Sequence, residues 1–114
     1  MNDSIKIIPL RIFFQELLAV LKSVIKILCL FFAAIIIFGL ILWHLEPLFF
    51  WQAQYLAFIT ALTVGYGDFY PKSMIAQMIS ILLGFLGIIL TGTFVAVVIR
   101  AIQRAYETME KQNG

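Results

Sequence analysis

Two stretches of the chain contain no charged residue: Ile27 to Leu45, between Lys26 and Glu46, and Ser73 to Ile99, between Lys72 and Arg100. They are 19 and 27 residues long. A hydrocarbon core about 30 Å thick is crossed by roughly 20 helical residues, so each stretch predicts a membrane-spanning helix. The second exceeds the core at ordinary tilts, and its last turns are expected to protrude into water as helix. Before the first span, Leu10, Phe13, Phe14, Leu17, Leu18, Leu21, Val24, Ile25 and Leu28 recur at spacings of three and four, with Arg11, Gln15, Lys22 and Lys26 on the other face. This predicts an amphipathic helix with Pro9 in its first turn. Two placements stay open for it: flat in the headgroup layer with its basic face on anionic lipid, or the lower end of the first span. Beyond the second span, Ile99, Ile102, Tyr106 and Met109 repeat at helical spacing, and a frayed helix end is expected there in preference to a small bundle.

The connector between the spans departs from a simple hairpin. Such a loop should be polar, yet Pro47 to Tyr70 is rich in Phe, Leu, Trp, Ile and Val. Phe50 to Leu62 reads as a helix too short to span, which predicts a re-entrant segment. Irregular backbone at membrane depth is tolerated only where protein buries it or where it lines a water-filled cavity. The stretch Thr63-Val64-Gly65-Tyr66-Gly67-Asp68 therefore needs a use for its backbone.

Composition narrows the class. Of 114 residues, 63% are apolar, 15% aromatic and only 12% charged, against about 25% charged in an ordinary soluble domain. A soluble globule of this length could not cover its surface. A net charge of +2 is too small to attract a polyanion, so a nucleic-acid partner is excluded, and the single Cys29 cannot close a bridge within the chain. Seven of the eight basic residues flank the spans on one side: Lys6, Arg11, Lys22, Lys26, Arg100, Arg104 and Lys111. Both termini of a multi-pass membrane protein are therefore expected in the cytoplasm. The expected organisation is a cytoplasmic N-terminus with an interfacial helix (1–26), an outer span (27–45), a re-entrant helix and loop (46–72), an inner span (73–104) and a short cytoplasmic tail (105–114).

Glycine enters left-handed backbone conformations without steric cost, so its alternation with other residues permits alternating backbone hands. Successive carbonyls can then point the same way. The oxygens of Thr63, Val64, Gly65 and Tyr66 would form a ladder, finished below by the Thr63 hydroxyl, with the Val64 and Tyr66 side chains turned back into protein. Oxygen ladders suit hard cations that shed water readily, such as K⁺. Replacing a hydration shell takes roughly eight oxygens, two rungs from each of four strips. One chain holds one strip, so a homotetramer follows if the strip lines a pore. The C-terminal end of the preceding helix, near Leu62, carries roughly half a negative charge and would favour a cation at the membrane centre.

Thr60-Ala61-Leu62-Thr63-Val64-Gly65-Tyr66-Gly67-Asp68 resembles the signature of the potassium-channel pore family, and the chain from about Ile27 to Arg104 is similar to its two-transmembrane prokaryotic members. The resemblance implies an all-α membrane protein: two transmembrane helices with a re-entrant pore helix and a selectivity-filter loop, assembled as a tetramer. It implies that Thr63, Val64, Gly65, Tyr66 and Gly67 are the filter, with K⁺ held at Thr63 to Tyr66. Gly87 stands where many relatives place a gating hinge, and a packing role for it stays equally open. Ile88, Thr91, Val95 and Ile99 would line the pore, with Gln103 near its cytoplasmic end.

The chain departs from relatives at Ile59, where some carry a glutamate partner for the filter aspartate. Tyr55 and Leu56 stand where many have a bracing tryptophan pair. A Tyr55 hydroxyl reaching Asp68 is expected to support the filter instead. His44 and Glu46 read as interfacial residues, Cys29 as a small packing residue, and Trp43 and Trp51 as an aromatic belt. Nothing assembles an enzyme site, and no arginine lies within a span to sense voltage. The expected function is passive K⁺ conduction. The alternatives are a weakly selective monovalent cation channel, a pore domain cut from a longer ligand-gated channel, and a non-conducting membrane anchor.

Overall fold

The computed structural model describes residues 8–113. Lys6 of the basic flank and the other terminal positions lie outside them. Three helices account for most of the described chain: α1 over Leu10–Leu45, α2 over Phe50–Ala61 and α3 over Met74–Asn113. Two of them, α1 and α3, are long and apolar enough to cross a membrane.

Helix α1 is unbroken for 36 residues, so the amphipathic stretch and the first span are one element. Nothing in the sequence from Leu10 to Leu45 would stop it, since the next proline is Pro47. Helix α3 likewise continues through Arg100 to Asn113, and the expected frayed end is helical.

The chain divides into two compact units. One contains the described residues up to Ile25 together with those from Phe94 onward. Its core is Val20, Val97 and Ala101, flanked by Phe13, Leu17, Leu21 and Val24. This uses the apolar face that the spacing of three and four marks out. On the rim, the Arg104 Nε–H donates to Glu16 Oε1 at 3.1 Å and the Thr108 hydroxyl donates to Glu16 Oε2 at 3.3 Å.

The other unit, Lys26 to Thr93, holds the re-entrant segment. Its buried positions on α1 are Leu28, Ile35 and Leu42, and on α3 Ala76, Leu83 and Leu90, each series stepping by seven. A seven-residue repeat keeps one seam on a partner helix at a shallow crossing angle. Helix α2 contributes Ala53, Ala57 and Ala61, all fully buried. Burying apolar surface drives nothing in hydrocarbon, so such helices hold together through close backbone approach and hydrogen bonds, which small residues permit. Around α2 the small residues are this alanine stripe, Gly39 on α1 and Gly87 on α3. Much of the remaining apolar surface, including Ile37, Ile75, Ile81, Phe85 and Ile89, is exposed in the single chain. Cys29 is exposed too, and does not pack in a core.

Candidate functional site

Helix α2 begins where the Phe49 backbone N–H donates to Gln52 Oε1 at 3.1 Å, just beyond Pro47. It ends at Ala61 in a specific arrangement. The Thr63 N–H donates to the Thr60 carbonyl at 3.2 Å, the Val64 N–H donates to the Ile59 carbonyl at 2.8 Å, and Thr63 is left-handed at φ 62°. These two bonds around a left-handed residue form a Schellman motif. Glycine usually fills that position; a β-branched residue there carries a cost of order 1–3 kcal/mol. The Thr63 hydroxyl donates back to the Leu62 carbonyl at 2.6 Å.

The strip hangs from this helix end. The Gly65 N–H also donates to the Ile59 carbonyl, at 3.1 Å, so one peptide oxygen takes two strip amides. Positive φ angles occur at Thr63, Gly65 (53°) and Gly67 (83°), whereas Val64 and Tyr66 between them have ordinary negative values. The backbone hand therefore alternates along the strip, and it does so from the threonine as well as the glycines. Residues 62–68 are all exposed in the single chain. Val64 and Tyr66, expected to be turned into protein, are 48% and 74% exposed, so this chain by itself covers Val64 only by half and Tyr66 less.

Behind the strip, the Tyr55 hydroxyl interacts electrostatically with the Asp68 carboxylate. The Tyr55 ring meets Phe69 edge-on at 6.0 Å, and the Phe69 N–H donates to Asp68 Oδ1 at 3.1 Å. Leu56 and Ile59 are buried on α2. Tyr55 is thus the side chain that links α2 to the far end of the strip.

Glu46 is more than an interfacial residue. It is buried, its Oε1 accepts the Lys72 N–H at 2.7 Å and its Oε2 accepts the Ser73 N–H at 3.1 Å. Those are backbone donors at the entry to α3, where a carboxylate also meets the positive end of the helix. Burial would by itself raise the Glu46 pKa; the N–H bonds from Lys72 and Ser73, helped by the Lys72 charge, outweigh it and hold the carboxyl below its ordinary value. The C-terminal end of α1 is thereby tied to the chain leaving the strip.

Gly87 is buried, and a Cβ there would land on the Ala61 carbonyl, 2.7 Å from Ala61 Cα. The close approach of α3 to the end of α2 requires this glycine, and α3 runs through it as continuous helix. Of the two roles open for Gly87, the packing requirement is present in the structure. Further along α3, Ile88, Thr91, Val95, Ile99 and Gln103 are exposed. Spacings of three and four put them on one helical stripe.

The sequence reading missed Glu46 as an anchor, together with Gln54 and Gly39. Gln54 is buried in α2 and its Nε2 donates to the Ile36 carbonyl at 3.2 Å. The signals were there: a carboxylate at the edge of a span, and an amide amid an apolar half-length helix.

Two spans, a half-length helix between them and an exposed strip of alternating hand define a membrane channel module. Residues 20–104 match the family model described as "Ion channel", and the chain belongs to this two-transmembrane ion-channel family. No curated protein and no solved structure matches it.

Proposed function

We propose that the chain is the subunit of a K⁺-selective pore, a homotetramer in which four copies of Thr63 to Gly67 surround one axis. The observation that carries this reading is the alternating hand at Thr63, Gly65 and Gly67 in a strip held from the end of a half-length helix. Alternation lets successive carbonyls face one side, and four such faces supply the roughly eight oxygens that replace water around K⁺. The exposure of Val64 and Tyr66 supports the ring, because neighbouring copies would give those side chains the cover that one chain lacks. Thr63, Val64, Gly65 and Tyr66 contribute the oxygens that hold K⁺, and Gly67 completes the turn out of the strip. Asp68 and Tyr55 brace its outer end. Below it, Ile88, Thr91, Val95 and Ile99 line an apolar cavity, and Gly87 serves as hinge as well as packing contact. The basic flanks orient both termini to the cytoplasmic face of a bacterial inner membrane, among anionic lipids.

The test is K⁺ flux from liposomes holding the purified protein, with and without Ba²⁺, comparing the wild type with Thr63→Ala and Gly65→Ala. Ba²⁺-sensitive flux that both substitutions reduce is the expected result; unchanged flux in both rejects the filter assignment. A second reading, a weakly selective cation pore, has Leu56 in its favour, since no aromatic brace stands there beside Tyr55. Reversal potentials in mixed K⁺ and Na⁺ separate the two.

A further inference from the structure

Besides its aromatic contacts with α1, Phe58 on Phe32 at 6.1 Å and Phe50 on Trp43 at 5.3 Å, helix α2 makes two closer contacts of different kinds. At its end, the Ala61 backbone abuts Gly87, a contact that sets distance and has no preferred direction. In its middle, the Gln54 amide is buried against α1 and bonded to the Ile36 carbonyl at 3.2 Å. Gly39 makes the room. A Cβ at Gly39 would stand 2.6 Å from Gln54 Oε1 and 2.8 Å from both Cδ and Nε2. The amide therefore fills the volume that a side chain on Gly39 would need, one turn beyond the carbonyl it binds. An amide left unpaired among apolar groups is costly, so this joint resists rotation of α2 about its own axis.

Rotation of α2 is what the strip would feel. Gln54 lies five residues before Ile59 on a 12-residue helix, and the Ile59 carbonyl carries the Val64 and Gly65 amides at 2.8 and 3.1 Å. We infer that Gln54, seated on Gly39, is a positioning residue for ion selectivity: it fixes the rotation of α2 and through Ile59 the direction in which the strip's oxygens face. It touches no permeant ion. The inference rests on the K⁺-pore reading above and adds to it the residue pair that sets the ring's geometry.

Gln54→Leu keeps nearly the same volume and removes the donor, while the Ile36 carbonyl retains its bond within α1. The measurement is the K⁺/Na⁺ permeability ratio of the 114-residue chain in liposomes, taken from reversal potentials, with oligomeric state checked on the same preparation. The expected result is a ratio lowered roughly three- to tenfold, the range one hydrogen bond within a membrane can supply. Gly39→Ala only has to displace a flexible amide, so it tests the same joint in a fold little disturbed. It should lower the ratio by itself and change it less than about twofold when Gln54→Ala is already present, since both act at one contact. If the leucine variant does not assemble, Gly39→Ala and its combination with Gln54→Ala decide the matter. A conducting wild type whose ratio is unchanged by Gln54→Leu, or by Gly39→Ala, overturns this inference and leaves the pore reading standing. So do Gly39→Ala and Gln54→Ala effects that simply add. A wild type that passes no cation overturns both.

Discussion

Three glycines of α3 should respond to the same substitution with opposite signs. Replacing a helical glycine by alanine removes backbone entropy from the unfolded chain and stabilises by about 0.5–1 kcal/mol where the new methyl meets nothing. At Gly84 and Gly92 a Cβ has no atom within 4 Å. At Gly87 it lands on the Ala61 carbonyl, which is backbone and is fixed by the helix it terminates. Overpacking of this kind costs about 1–3 kcal/mol, and overlap with a carbonyl belongs in the upper part of that range. Subtracting the propensity gain leaves Gly87→Ala destabilised by about 1–2 kcal/mol. The assay is thermal unfolding of the purified protein in one detergent, three variants beside the wild type. The midpoint should fall by several degrees for Gly87→Ala, while the other two stay level or rise. If Gly87→Ala is as stable as Gly84→Ala, α3 does not approach Ala61 as closely as the structure has it. The packing account of this glycine then fails.

Two further predictions concern the strip's attachments. Glu46 has a depressed pKa in the folded chain, so its contribution to stability is complete above its unfolded value and is lost as pH falls through the lower folded value. Unfolding midpoints measured across acid pH should decline in the wild type, and that decline should be smaller in Glu46→Gln, which at neutral pH is less stable by about 1–3 kcal/mol. At the other end, Thr63→Gly should raise stability by about 1 kcal/mol by relieving the left-handed threonine, and at the same time lower K⁺ flux by removing the hydroxyl. Thermal unfolding and liposome flux on the same preparations check both halves.

Much of this architecture was legible in the chain. Charge-free lengths marked the two spans, and apolar content over a sub-membrane length marked α2 to within a residue of its observed end. The glycine alternation announced a strip of changing hand. What escaped was set by neighbours distant in sequence. Thr63 has no glycine-like permissiveness, and its φ follows from the Schellman bonds to Thr60 and Ile59, which form only once α2 ends there. Glu46 looked ordinary because its partners are the amides of Lys72 and Ser73, which carry no sequence label. Continuity of α1 through Lys22 and Lys26 was ambiguous because an amphipathic pattern fits a helix on a membrane surface and one leaving it equally well.

The attachment of the strip at Ile59 has a corollary for tolerance to change. Its acceptor is a main-chain oxygen, so altering the side chain at 59 leaves the peg in place. What stands behind the strip can be exchanged, carboxylate for hydrocarbon, with the suspension itself untouched. A strip suspended in this way separates how it is hung from how it is cushioned, and a change of side chain at 59 reaches only the cushioning.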